Sequence, residues 1–355
     1  MPTQFLTQRN DLTQSTIIDC EPLSAKPGEV VLQVDRFALT ANNITYGVAG
    51  DMIGYWQFFP AEGDWGRIPV WGMATVSASE HPSVNVGDRY YGYFPMSSEL
   101  LVKPEKINAR GFVDAVEHRS QLPAVYNQYT LVSIETGFAP NLDNHAMLYR
   151  PLFTTSFVLD DFFADNDFFG ASQIILGSAS SKTAFGLAFM LRKRAGLQVI
   201  GLTSSANVAF VNNLGLYDEV RTYDDVEAIK SAPSAYIDMA GNRGVLSRVH
   251  HHLNEQLRNS CGVGITHWED RDGEAPESLP GAKPSMFFAP SQIMKRHEEL
   301  GGAVYQQQIA EATSEFLEQV DAWVKIEEHP LAEVQSVYET VLNGAKPDSG
   351  LIVVG

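Results

Sequence analysis

Apolar positions follow two different rhythms along the chain, and the change falls near Gln173. Over residues 28–104 the apolar runs are short and separated by turn residues. Val30-Val31-Leu32-Gln33-Val34 reads as a strand, Ile68-Pro69-Val70 leads into another, and Val86-Gly87-Asp88-Arg89-Tyr90-Tyr91-Gly92-Tyr93 reads as a turn and a strand. Lys26-Pro27-Gly28 is one of the turns between them, the pattern of a small antiparallel barrel. The middle, residues 114–167, is aromatic, carries a helical run over 152–163, and contains no repeat.

Beyond Gln173 strands and helices alternate. Gln173-Ile174-Ile175-Leu176 stops at Gly177, Ala184, Ala188 and Leu191 recur at helical spacing, and Gly196 follows as a helix stop. Gln198-Val199-Ile200-Gly201-Leu202, Glu219-Val220-Arg221-Thr222 and Ala235-Tyr236-Ile237-Asp238 read as strands, with a helix over 206–214. Cys261-Gly262-Val263-Gly264-Ile265 and Ser285-Met286-Phe287-Phe288 continue the series. This alternation predicts a parallel, doubly wound sheet. A long helix is predicted over 304–323, and Gly350-Leu351-Ile352-Val353-Val354 as a strand returning to the first domain.

The turn after the first of these strands carries the clearest chemistry. Gly177-Ser178-Ala179-Ser180-Ser181-Lys182-Thr183 joins a strand to a helix, where unpaired N–H groups and the helix dipole favour an anion such as a pyrophosphate. The usual dinucleotide fingerprint sets three glycines there. Here Gly177 stands alone at the turn, Ser180, Ser181 and Thr183 occupy the other places, and Gly186 lies one turn into the helix. Hydroxyls can donate to phosphate oxygens, so an anion site can persist; a plain architectural turn is the competing reading. Ser181-Lys182-Thr183 also has the look of a P-loop end, but that motif needs a glycine where Lys182 stands.

Composition narrows the classes. A chain of 355 residues, 44% hydrophobic and 19% charged, is long enough for two globular domains. A formal net charge of −18 disfavours nucleic acid and anionic membrane as partners. Arg192-Lys193-Arg194 reads as the last turn of a helix, where cations complement the dipole. Cys20 and Cys261 form no framework or thiolate metal site, no secretory leader is visible, and a cytoplasmic location is expected. The apolar run at 184–191 falls far short of the ~20 residues of a membrane span.

The order of the pieces resembles the medium-chain dehydrogenase/reductase superfamily, and within it the zinc-independent, quinone-oxidoreductase-like group. Val86-Gly87-Asp88-Arg89, Leu214-Gly215-Leu216-Tyr217-Asp218-Glu219-Val220, Ile237-Asp238-Met239-Ala240-Gly241 and Val337-Tyr338-Glu339-Thr340-Val341-Leu342-Asn343-Gly344 carry the resemblance. It implies an α/β protein: a GroES-like β-barrel domain (1–140), a Rossmann doubly wound parallel sheet (141–295) and a return to the first domain (296–355). The stretches matching the zinc ligands of other members, residues 37–46 and Pro69-Val70-Trp71-Gly72-Met73, lack cysteine, histidine and glutamate. The family then implies hydride transfer to a carbonyl, quinone or enoyl compound without zinc.

Cofactor choice rests on the end of the second strand. Thr203-Ser204-Ser205-Ala206-Asn207 holds no acid to bind ribose hydroxyls or repel a 2′-phosphate, so NADPH is expected over NADH. Lys182 or Arg221 is the candidate phosphate partner. Tyr223 resembles a family tyrosine near the adenosine end, with an ordinary strand-end tyrosine as the alternative. Phe288 ends the last strand where the family's backbone meets the nicotinamide, with an ordinary buried strand as the alternative, and Ala240 and Gly241 are further cofactor candidates. On the substrate side the resemblance points to Asn43, with helix capping as the competing role. Tyr46 and Tyr149 are candidate oxyanion donors or proton sources, each with buried structural tyrosine as the alternative. Arg150 is a candidate partner of a substrate acid or of Asp160 and Asp161. Tyr55-Trp56-Gln57-Phe58-Phe59 and Trp65 suggest an apolar wall, a core or a dimer contact. His250-His251-His252 reads as solvated surface, because adjacent helical residues point ~100° apart. A homodimer acting on a small molecule is expected; a non-catalytic nucleotide-binding or sensor protein is the alternative.

Overall fold

Two strands that the hydrophobic pattern did not announce, Thr3–Gln8 (β1) and Asp11–Asp19 (β2), begin the first unit of the computed structural model, which describes residues 1–138, 141–263 and 279–355. They pair antiparallel, and β1 also meets Trp65–Gly66 (β4). Their signal was weak because β2 buries only Leu12 while its other side chains face outward or sit at the margin. Val30–Leu39 (β3) is the opposite case, with seven of its ten residues buried. A strand apolar on both faces belongs inside a sheet. It is flanked by Pro69–Ser79 (β5) on one side, and on the other by Glu99–Val102 (β7) near its start and Ser349–Val354 near its end.

The sheet continues from β5 through Arg89–Pro95 (β6) to Pro104–Asn108 (β8), Gly111–Asp114 (β9) and Gln128–Leu131 (β10), in the order β5-β6-β10-β9-β8. Short helices Ala41–Val48 (α1) and Gly50–Ile53 (α2) follow β3. Arg119 is fully buried beside Asp114 of β9, an ion pair that ties the chain after β9 back onto the sheet. The chain's end completes this unit. Tyr338 Oη donates to the Leu12 carbonyl at 2.9 Å and its ring lies 5.0 Å from that of Phe5.

The second unit is the expected parallel sheet. Gln173–Leu176 (β11), Gln198–Thr203 (β12), Glu219–Thr222 (β13), Ser234–Asp238 (β14), Leu257–Gly262 (β15) and Ser285–Met286 (β16) lie in the order β13-β12-β11-β14-β15-β16, all pairs parallel. The order reverses between β11 and β14, so the crevice beyond the C-terminal ends of these two strands is the place where such sheets bind ligands. Of the predicted strand after Ser260, Gly264 and Ile265 lie outside the described residues, and the predicted strand at 285–288 is shorter than expected. Ile175, Ile200, Leu202, Tyr236 and Val249 form one side of the core.

Helices Asp143–Asp165 (α3), Lys182–Leu191 (α4), Val208–Leu214 (α5), Arg243–Leu253 (α6), Ala289–Leu300 (α7) and Gly302–Val320 (α8) accompany these strands. The units divide at 148/149 and 324/325 rather than at the expected 140/141 and 295/296. The reason is packing. Phe316 of α8 stacks on Phe153 at 4.5 Å, and Tyr305 and Ile309 bury against Val158, so α8 belongs with the parallel sheet. Only Lys325–Pro330 (β17), Val334–Leu342 (α9) and Ser349–Val354 (β18) return to the first unit, as β17-β18-β3.

Candidate functional site

The turn after β11 keeps two glycines of a dinucleotide-type turn and sets a serine beside the first. A Cβ on Gly177 would lie 2.7 Å from the Tyr236 hydroxyl, so β11 can end against Tyr236 of β14 only with glycine there. Ser178 next to it takes φ 55°, the left-handed region that ordinarily selects glycine. The geometry of the fingerprint therefore survives at a serine. Tyr223 braces that serine by a hydrogen bond, and burial raises its phenol above the usual range.

Three further contacts fix the turn against β12. The Ala179 N–H donates to the Leu202 carbonyl at 2.9 Å, and Tyr217 Oη donates to the Ala179 carbonyl at 2.8 Å. Ser180 Oγ accepts from Asn207 Nδ2 at 3.1 Å and from Thr203 Oγ1 at 3.5 Å. Ser181 is the N-cap of α4, its Oγ accepting the Ala184 N–H at 3.3 Å. Lys182 and Thr183 open that helix, whose first N–H groups have no intrahelical acceptor. Ser156 Oγ of α3 donates to the Thr183 carbonyl at 2.8 Å, and a Cβ on Gly186 would meet that same oxygen at 2.8 Å. Gly186 is thus the close-packing glycine of the motif.

The sequence-selected residues of this half come together in part. Ser178, Ser180, Ser181, Thr203, Asn207 and Tyr223 join one hydroxyl-and-amide cluster at the ends of β11 and β12. Ser204 is half-buried and Ser205 exposed beside it. No carboxylate stands in Thr203-Ser204-Ser205-Ala206-Asn207, and its hydroxyls and amide are groups that could hold a phosphate or a ribose. Other placements differ from expectation. Arg221 of β13 is held by Glu219. The Ala240 and Gly241 N–H groups donate to Asp238 Oδ1 at 3.0 and 2.9 Å, closing the chain after β14 rather than facing outward. Phe288 is 58% exposed at the N-cap of α7 instead of ending a strand.

The first unit gathers a second set of polar groups, an aromatic cluster. Asn43 caps α1: its Oδ1 accepts the Thr40 N–H at 2.8 Å and its Nδ2 donates to the Pro69 carbonyl at 2.9 Å. Both ends of the amide are thus engaged within the fold, and the capping role is the one the geometry realises. Tyr46 on the same helix is buried; its hydroxyl accepts the Trp71 indole N–H at 3.2 Å, and burial raises its phenol far above the ordinary value. Tyr55 lies 4.6 Å from Tyr46, and its hydroxyl is 3.2 Å from that of Tyr126. Tyr126 packs 4.7 Å from Tyr93 and edge-on to Phe58 at 5.2 Å. Of the proposed apolar wall, Trp56, Phe58 and Phe59 are buried core.

Tyr149 corrects an expectation. It is 0% exposed within α3 of the second unit, packed against Phe185 and Phe316, with a hydroxyl that meets no partner among the described residues. A ring sealed on all sides cannot touch a substrate. Asp160 and Asp161, expected near Arg150, pair with Arg194 and Arg296. The histidine run is not all solvated either. His250 is buried, with Nδ1 2.8 Å from the Pro280 carbonyl and Nε2 2.9 Å from Ser260 Oγ, and burial lowers its pKa. Among the described residues no group of three His, Cys, Asp or Glu side chains could hold a metal ion.

Sequence reasoning missed Tyr126, Trp71, Tyr93 and Tyr217. Tyr217 lay within a quoted motif but gave no sign that it would bridge to Ala179. Tyr126 sits in the segment after β9, where no periodicity marks it. A cavity of about 650 Å³ also opens in the first unit, lined in part by Arg36, Arg89, Phe138, Asp143, Asn144 and Glu328. Its arginines are held by acids, Arg36 by Glu328 at 3.1 Å and Arg89 by Asp143 at 2.9 Å, and none of the tyrosines of the cluster lines it.

Barrel-like antiparallel unit, doubly wound parallel unit and C-terminal return together define the fold of the medium-chain dehydrogenases/reductases. Solved structures agree at low identity. CurA from Vibrio vulnificus, in complex with NADPH, is 15% identical with a TM-score of 0.68, over 99% of this chain and 98% of that one. The yhdH oxidoreductase from Salmonella enterica, in complex with NADP, is 14% identical with a TM-score of 0.54 over 100% of both chains. A quinone oxidoreductase of Pseudomonas syringae pv. Tomato DC3000 is 14% identical with a TM-score of 0.56, again over 100% of both. No curated protein matches the sequence. Residues 37–347 match the model of a family described as a protein of unknown function, DUF2855, and the chain belongs to that family.

Proposed function

We propose that the protein is a zinc-independent, NADPH-dependent oxidoreductase that reduces a conjugated carbonyl, quinone or enoyl substrate. One observation carries the reading: the acid-free cluster of Ser180, Thr203 and Asn207 beside the N-terminus of α4, at the C-terminal ends of β11 and β12 in the parallel sheet. Bound there, reduced nicotinamide dinucleotide supplies the hydride. The chain's own part is to hold the phosphates and to place donors where negative charge develops on the substrate. Ser180 and Asn207 offer neutral donors, and the first N–H groups of α4 add the positive end of its dipole. CurA and the yhdH protein, which share this fold, were solved with NADPH and NADP.

The reading includes a homodimer, supported by the edge position of β16 and the exposure of Met286 and Phe288 beside it. Titration of the purified protein with NADPH and NADH, followed by nicotinamide fluorescence, tests the cofactor; a panel of enones and quinones tests the chemistry. Saturable binding with preference for NADPH is expected, and no binding of either nucleotide would end the proposal. A non-catalytic nucleotide-binding or sensor protein is the second reading. The placement of two expected catalytic residues, Asn43 as a cap and Tyr149 as sealed core, favours it. Cofactor bound without turnover of any panel member would establish it.

A further inference from the structure

We propose that Tyr55 and Tyr126 form a two-phenol pocket that holds the substrate's carbonyl oxygen as it becomes an oxyanion; this rests on the reductase reading. The two hydroxyls are 3.2 Å apart, with their rings nearly perpendicular at 5.9 Å. Two hydroxyls bonded to each other share one proton, so the second proton points away from the pair. An incoming oxygen can displace that mutual bond and accept from both phenols at once.

Their surroundings suit this role better than those of Tyr46 or Tyr149. The cluster's deeper hydroxyls are enclosed. Tyr46 accepts the Trp71 indole, Tyr129 donates to the Tyr93 carbonyl at 2.7 Å, and the Tyr93 ring is fully buried. Tyr55 and Tyr126 are half-buried, with the rings of Tyr46, Phe58 and Tyr93 packed against them. Burial raises both phenols above the ordinary value, which keeps them neutral donors. The support beneath Tyr126 is rigid. Asn127 Nδ2 donates to the Arg119 carbonyl at 3.0 Å, and the buried Arg119–Asp114 pair holds that segment on β9.

In an enone reduction, hydride arriving at the β-carbon would move the C=C electron pair toward the carbonyl, whose oxygen would take the negative charge that Tyr55 and Tyr126 are placed to hold. Water then supplies the proton to the α-carbon. A neutral carbonyl gains little from two donors in an apolar setting, whereas the enolate oxygen gains much more, and that difference is what accelerates the step.

The test uses Tyr55→Phe, Tyr126→Phe and the double variant, each retaining its ring. With NADPH and benzylideneacetone, kcat/KM should fall about 10- to 100-fold in each single variant, and the double variant should fall little further because the hydroxyls act as a unit. NADPH affinity should stay at the wild-type value. Para-nitrophenolate, a stable oxyanion, provides a readout independent of turnover: its absorption band should shift on binding to the wild type, and each Phe variant should bind it about tenfold more weakly. Equal nitrophenolate affinity across wild type and variants, or no binding by the wild type, overturns the pocket. A wild type that binds nitrophenolate but neither takes up NADPH nor reduces any enone would instead overturn the reductase reading and leave the pocket standing.

Discussion

The polar cluster after β11 and the aromatic cluster of the first unit are built in opposite ways. The first is local: Gly177, Ser178, Ser180 and Ser181 lie within five consecutive residues, and Thr203 and Asn207 arrive from the end of the neighbouring strand. Small side chains there decorate a backbone conformation. The second is assembled from distant segments, since Tyr46, Tyr55, Trp71, Tyr93 and Tyr126 meet through a helix, a short turn, two strands and a loop. Its chemistry belongs to side chains held by packing. Damage should therefore be local and electrostatic in the first case and propagate through packing in the second.

The largest effect should come from the support of the aromatic cluster. Arg119→Met leaves the Asp114 carboxylate buried without its partner, and truncating one member of a buried pair costs about 3–5 kcal/mol. Urea unfolding should show that loss. Because Asn127 hangs on the Arg119 carbonyl, whose backbone the substitution keeps, any surviving folded protein should retain NADPH binding. Loss of NADPH binding in folded R119M would show that the two clusters are not separable.

Gly177→Ala comes next. The new Cβ would press on the Tyr236 hydroxyl at 2.7 Å, and overpacking of this kind costs about 1–3 kcal/mol. Tyr236→Phe removes the obstructing oxygen, so G177A should be less damaging in the Y236F background. Additive losses in the double variant, measured by thermal unfolding, would mean that the turn is not set by this contact.

Alkaline pH tests the burial of the phenols. Burial raises Tyr55 and Tyr93 above the ordinary phenol range and Tyr90 up to about 12. A phenol whose folded pKa is raised stabilises the fold fully below its unfolded pKa of about 10 and loses that contribution as pH climbs toward the folded value. Stability should thus show no phenol-linked change through neutral pH and fall above about 10. Ultraviolet titration should find these tyrosines ionising together with unfolding; independent ionisation in the native protein would contradict their burial.

How much of this was legible in the sequence follows the same division. Runs such as Gln173-Ile174-Ile175-Leu176 are buried throughout and bounded by a turn, so strand, turn and helix could be read directly. β1 and β2 escaped because their outward faces are polar and their alternation is slight. Asn43 was named for chemistry by its position in a resemblance and Tyr149 for its phenol, but what decides their roles is contact: a cap in one case, a sealed aromatic core in the other. Tyr126 could not be found, since nothing in the residues around it records that Tyr55 stands opposite. α8 was assigned to the wrong unit because an amphipathic helix announces its apolar face but not the surface that covers it.

The smallest expected effect tests the polar cluster where it is most exposed. Ser180 Oγ is shared by Asn207 and Thr203, so removing it leaves two donors without that acceptor, whereas removing the Asn207 amide leaves Ser180 one remaining neighbour. Ser180→Ala and Asn207→Ala should each weaken NADPH binding by about 0.5–1.5 kcal/mol, the usual net value of one hydrogen bond. If the contacts to cofactor run through the Ser180–Asn207 pair, the double variant should lose less than the sum of the two. Ser204→Asp adds the sign of the effect: a carboxylate at the end of β12 should repel the 2′-phosphate and weaken NADPH while leaving NADH unchanged or improved. A parallel loss of both nucleotides would place the ribose elsewhere and return the serine-rich turn to architecture.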